Sequence, residues 1–93
     1  MIISFADKET RKIFDQGFSK KIPHSIQRVA LRKLIMMDNS ENLDDLRSPP
    51  SNHLEALQGS RKGQYSIRIN DQYRICFKVA NNRFHDVEIV DYH

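Results

Sequence analysis

In Gln64-Tyr65-Ser66-Ile67-Arg68-Ile69-Asn70-Asp71-Gln72-Tyr73-Arg74-Ile75-Cys76-Phe77-Lys78-Val79, the odd-numbered positions on both sides of Asn70–Gln72 are apolar. Side chains alternate between faces along a strand, and directly opposed residues of an antiparallel pair share a face. Matching apolar to apolar therefore requires partners whose numbers sum to an even value. A three-residue loop at Asn70–Gln72 does this, pairing Ile69 with Tyr73, Ile67 with Ile75 and Tyr65 with Phe77. Such loops use a left-handed residue, which Asn and Asp tolerate. A two-residue loop would mix the faces and is disfavoured.

The same register carries a chemical consequence. On the other, solvent-facing side it sets Arg68 opposite Arg74, Ser66 opposite Cys76 and Gln64 opposite Lys78. Like charges directly opposed in a sheet destabilise it, so the two arginines need a neutralising partner. Asp86 or Glu88 on the last strand is one choice, as an ordinary ion pair. An anionic ligand is the other, since guanidinium forks fit phosphate well.

Outward from the hairpin, Phe84–Val90 reads as a further strand after an Asn81–Asn82 turn, and His53–Leu57 as a short one before the Gly59–Gly63 turn. Towards the N-terminus the period becomes helical. Asp7 is a candidate N-cap for Lys8–Gln16, with Ile13, Phe14 and Phe18 on one side and Gly17 as the stop. Pro23 and Ser25 open a stronger helix, Ile26–Asp38. Its stripe is Ile26, Val29, Ala30, Leu34 and Met37, widened by Leu31 and Ile35, with Arg28, Arg32 and Lys33 on the remainder. One further helical turn follows around Ser40, Leu43 and Leu46, stopped by Pro49–Pro50, and Ile2–Phe5 is a candidate opening strand. Helices followed by consecutive hairpins predict an α+β fold: two N-terminal helices packed on a twisted, mostly antiparallel sheet.

Ninety-three residues allow one domain, 1–93. With 39% hydrophobic and 29% charged residues, the chain is neither disordered nor membranous. No apolar run approaches the roughly 20 residues of a spanning helix. Cys76 stands alone, which excludes an internal disulfide or a cysteine-cluster zinc site and favours a cytoplasmic setting. The net charge of +3 is unevenly spread: residues 1–37 carry +5, residues 38–59 carry −4 and residues 60–93 carry +2.

Other chemistry is sparse. His24, His53, His85 and His93 lack metal-ligand spacing, and the basic loop Gly59-Ser-Arg-Lys-Gly63 lacks that of a Walker motif. Cys76, between Arg74 and Lys78, reads as an inert strand cysteine. The chain ends on Tyr92-His93, close behind a strand, where the histidine would lie near the arginines.

Four segments in order, Leu46-Arg-Ser-Pro-Pro, Leu54-Glu-Ala-Leu-Gln-Gly, Tyr65–Phe77 and Val87-Glu-Ile-Val-Asp-Tyr-His, resemble the HigB (plasmid-maintenance killer) toxins of the RelE/ParE superfamily over essentially the whole chain. The resemblance implies a toxin of a type II toxin–antitoxin system, a ribosome-dependent mRNA endoribonuclease. Its partners would be the ribosome with its mRNA and a helix-turn-helix antitoxin of HigA type, which carries the complex to operator DNA. It implies metal-free cleavage without a cofactor, by attack of the ribose 2′-OH on the adjacent phosphorus. Arg74 matches the family's catalytic arginine, and Tyr92 and His93 its C-terminal aromatic and histidine. Arg68 would assist at the phosphate, with Arg61, Lys62, Lys78 and Asn70 contacting RNA. Glu55 and Asn70 depart from relatives that carry a histidine and an arginine there. The second reading is a ParE-like toxin, gyrase-directed or non-catalytic, against which Tyr92–His93 argues.

Overall fold

The computed structural model describes residues 1–92. Helix α1 is Lys8–Gln16. Asp7, in extended conformation, accepts from the Thr10 N–H, and Gly17 ends the helix at φ 77°, returning its N–H to the Ile13 carbonyl. Phe18, past that stop, lies outside the apolar stripe and is exposed. Helix α2 is His24–Asp38, with Pro23 rather than Ser25 at its boundary. Ile26, Ala30, Leu34 and Met37 face the core as the period requires. Two positions do not follow it: Ile35 is exposed, and Lys33 is buried.

Four strands follow: β1 (Glu55–Ala56), β2 (Tyr65–Arg68), β3 (Tyr73–Ala80) and β4 (Arg83–Asp91), antiparallel in the order β1-β2-β3-β4. The β2–β3 register is the predicted one, with Tyr65 opposite Phe77, Ile67 opposite Ile75 and Arg68 opposite Arg74. Its turn is built differently from the expectation. None of Asn70, Asp71 and Gln72 is left-handed. Instead Asn70 Oδ1 accepts from the backbone N–H groups of Gln72 (2.9 Å) and Tyr73 (2.7 Å), and this side-chain bond closes the turn without a positive φ.

Between Cys76 and Lys78 the β3–β4 ladder shifts by one residue, and Asp86 on β4 adopts φ 52°. This bulge turns Phe84 and Val87, three positions apart, to the same side, where both are fully buried. Residues Ile2 and Phe5 have the same spacing, and each makes an isolated parallel bridge to one of them. The expected opening strand is thus two contacts across a bulge rather than a ladder.

Ile67, Ile75, Phe77, Phe84 and Val87 pack with Ile13, Ile26, Ala30, Leu34, Met37 and Leu46 in one core between helices and sheet. The rings of Phe77 and Phe84 meet edge to face at 5.2 Å. The Ile89 N–H donates to Thr10 Oγ1 at 3.0 Å, pinning α1 to β4. From Leu43 to Asn52 the chain makes two single 3₁₀ turns, Leu43–Arg47 and Pro50–Asn52, the first capped by Asn42 rather than Ser40. These turns carry the chain back to the sheet at β1.

Candidate active site

The face opposite the helices was expected to lie open to water. It does not: Ser66 and Cys76 are fully buried there, and the Arg74 side chain is only 11% exposed. The cover is the segment ahead of β1. His53, left-handed at φ 45°, directs its carbonyl to Arg74 Nη2. Glu55 Oε1 lies 3.1 Å from the same nitrogen. Arg74 Nε donates to Ser66 Oγ at 2.7 Å. Ser66 belongs to the apolar-to-polar alternation of β2, and its hydroxyl is used to aim the guanidinium.

Arg68 sits across the ladder from Arg74 and pairs with Asp71 in the turn. The repulsion between the two arginines is therefore offset by Glu55 on one and Asp71 on the other. Asp86 and Glu88, the partners expected, are engaged elsewhere: Asp86 with Lys78 at 3.2 Å, Glu88 with Arg61 at 3.1 Å. The register explains this. Glu88 lies opposite Cys76, and the bulge sets Asp86 beyond it, nearer Lys78 than the arginines. Both arginines line an open depression of about 390 Å³ with His53, Leu54 and Glu55. Two guanidinium donors and one carboxylate converge there, an arrangement suited to an oxyanion with a proton to lose nearby.

The remaining candidates are scattered. Arg61 is half-buried and held by Glu88 and Gln64. Lys62 is exposed in its loop. Lys78 lies four residues along β3 from Arg74, roughly 13 Å at the rise of a strand. Asn70 closes its turn and so has a structural task. Tyr92 is exposed and donates its backbone N–H to the Gln72 carbonyl at 2.7 Å, which sets Tyr92 beside the 70–72 turn, at the arginine end of the sheet. His93 lies outside the described residues. Burial pushes the Cys76 thiol above its usual pKa, as befits an inert core cysteine.

Two features were not legible: one group of the site, and the burial of a lysine behind it. The His53 carbonyl leaves no trace in residue type. Lys33 was read as surface, yet it is buried; its Nζ donates to Asn52 Oδ1 at 2.7 Å. Burial first, then the charges of Arg32, Arg68 and Arg74, hold its ammonium below the usual lysine pKa.

A family model described as the RelE-like toxin of type II toxin-antitoxin system HigB matches residues 3–93. The chain is similar to Toxin HigB-1 of Vibrio cholerae serotype O1, 40% identical over 91 residues, covering 92% of this chain and 96% of that one. It is also similar to Endoribonuclease HigB of Proteus vulgaris, 29% identical over 94 residues and the full length of both. Among solved structures, a mutant of YafQ from E. coli has the same fold, with a TM-score of 0.63 at 12% identity over 98% of this chain and 93% of that one. From the match over nearly its whole length, the chain belongs to the family of RelE-like toxins of the type II toxin–antitoxin system HigB.

Proposed function

We propose that this toxin, acting as one domain over residues 1–93, is a ribosome-dependent mRNA endoribonuclease of the cytoplasm, restrained by an antitoxin. The observation that carries the reading is the pair of opposed arginines lining one depression, with a carboxylate 3.1 Å from Arg74. The name of its relative from Proteus vulgaris supports it.

An RNA phosphate enters between Arg68 and Arg74, whose forks hold its non-bridging oxygens. The ribose 2′-OH attacks phosphorus, forming the 2′-O–P bond as the P–O5′ bond breaks. Glu55 accepts the 2′-OH proton; His93 donates a proton to the departing 5′ oxygen; Arg74 stabilises the charge that accumulates on the phosphorane. The products are a 2′,3′-cyclic phosphate and a 5′-OH. Tyr92 stacks on a neighbouring base. Arg61, Lys62 and Lys78 contribute a diffuse attraction to ribosomal RNA. The antitoxin is of helix-turn-helix type and carries the complex to operator DNA.

Mapping RNA ends in programmed ribosomes tests this. Wild type should leave cyclic-phosphate and 5′-OH ends. Glu55→Gln and His93→Gln should each slow single-turnover cleavage by roughly 10²–10⁴-fold with ribosome binding retained. Uncut message in arrested cells, together with gyrase-dependent DNA breaks, would favour the ParE-like reading instead.

A further inference from the structure

We infer that the connector between α1 and α2 is a second RNA contact: an unpaired base of ribosomal RNA stacks on Phe18 while Lys20 and Lys21 hold the phosphates beside it. The inference rests on the reading that this toxin works on the ribosome, and it names the surface that docks there. Its first ground is the way the loop is built. Gly17, left-handed at φ 77°, turns the chain off α1 and leaves Phe18 49% exposed. The residues that follow are fixed from beneath. Gln27 on α2 is buried; its Nε2 donates to the carbonyls of Ser19 (2.6 Å) and Ile22 (2.7 Å), and its Oε1 accepts from the Ser19 N–H at 3.3 Å. Ser19, also buried, donates its hydroxyl to Glu9 and accepts at Oγ from the Lys21 N–H at 3.2 Å. A backbone held this way presents its outward side chains with little ordering entropy left to lose on binding.

The second ground is what the loop presents. Two open depressions, of about 480 and 330 Å³, share Phe18, Lys20 and Lys21 as walls, so the ring and both lysines border one surface. Lys20 and Lys21 are exposed and make no ion pair among the described residues. Glu9, the acid of the smaller depression, is taken up by Ser19 and by Lys12 at 3.6 Å. This mixture favours RNA over an acidic protein. An aromatic face is a partner for any base, and cations at its border meet the flanking phosphates, which is how single strands are held without regard to sequence. A protein anchored on Phe18 would want an apolar surround, and only Ile22 and Pro23 supply one. The surface shares no residue with the arginine depression, so ribosomal RNA can be held here while the message lies at Arg74.

Single-turnover cleavage of message across a series of programmed-ribosome concentrations, on full-chain variants, tests this. Phe18→Ala should raise the half-saturating ribosome concentration by roughly 5–100-fold, the worth of one stacked base, with the saturated rate unchanged. Phe18→Tyr, which keeps the ring, should restore it, and Phe18→Leu, which keeps only apolar bulk, should not. Replacing both lysines, Lys20→Gln with Lys21→Gln, should lower the slope of log affinity against log salt by about 1.4–1.8, two phosphate contacts' worth. All three side chains are exposed, so melting curves should match wild type. Unchanged half-saturation in Phe18→Ala overturns the proposal, as does rescue by leucine as good as by tyrosine. A Phe18→Ala protein that cuts normally but no longer co-purifies with its antitoxin overturns it too, and assigns the loop to that partner. Failure of the broader reading looks different: wild type would then neither bind ribosomes nor cut their message, which removes both readings, whereas wild-type cleavage with indifferent variants removes this one alone.

Discussion

Arg74 is held by Ser66, His53 and Glu55, and this governs how its variants should behave. Arg74→Ala removes the partner of a buried hydroxyl and of a carboxylate, so it should cost about 1–3 kcal/mol in addition to abolishing cleavage. Arg74→Lys keeps a charge but loses the fork; it should melt closer to wild type and still cleave poorly. Urea denaturation beside single-turnover cleavage separates the two effects. An Arg74→Ala protein as stable as wild type would mean that these bonds contribute nothing. Cys76 supplies a second check at this scale. Fully buried, with its pKa raised, it should ignore a thiol reagent in the native protein and react at once in denaturant. Rapid labelling of the native protein would show the covered face to be open.

At the scale of elements, the β2–β3 turn depends on a side chain in place of a left-handed backbone. Asn70→Ala leaves the N–H groups of Gln72 and Tyr73 without their acceptor, and should lower stability by about 1 kcal/mol in urea titrations. An Asn70 whose only role is RNA contact would leave stability untouched and weaken ribosome binding instead. The β4 bulge is the other decisive element. It lets Phe84, Val87 and Ile89 serve one core although their numbers differ in parity, and it determines which carboxylates reach which cations.

For the molecule as a whole, the buried lysine ties stability to pH. Its native pKa lies below the ordinary value of 10.5, so the unfolded chain binds that proton more tightly. Stability contributed by this group therefore rises with pH, through the window from the depressed native pKa to about 10.5. Relative to Lys33→Met, wild type should gain thermal stability as the buffer moves from neutral to alkaline; parallel melting curves would refute it. The partner is a whole-molecule matter too. The basic flanks call for an acidic antitoxin surface. Co-expression with the adjacent reading frame should relieve growth arrest and yield a co-purifying complex; the absence of both rescue and complex would count against the toxin reading.

The α+β class, both helices, the β2–β3 register and the juxtaposition of Arg68 with Arg74 were all legible in the sequence. Each rests on a local period, 3.6 or 2 residues, that a run of side chains displays by itself. The cap at Asp7 and the stop at Gly17 are equally local. The identity of the arginines' counter-ions was not legible, nor was the burial of Lys33 and of Ser66. Those depend on where the 49–55 segment lands and on one extra residue in β4, and neither leaves a periodic mark. Charges select partners by distance in space. Glu55 meets Arg74, and Asp86 and Glu88 do not, because the chain's path back to the sheet and the bulge at Asp86 set those distances.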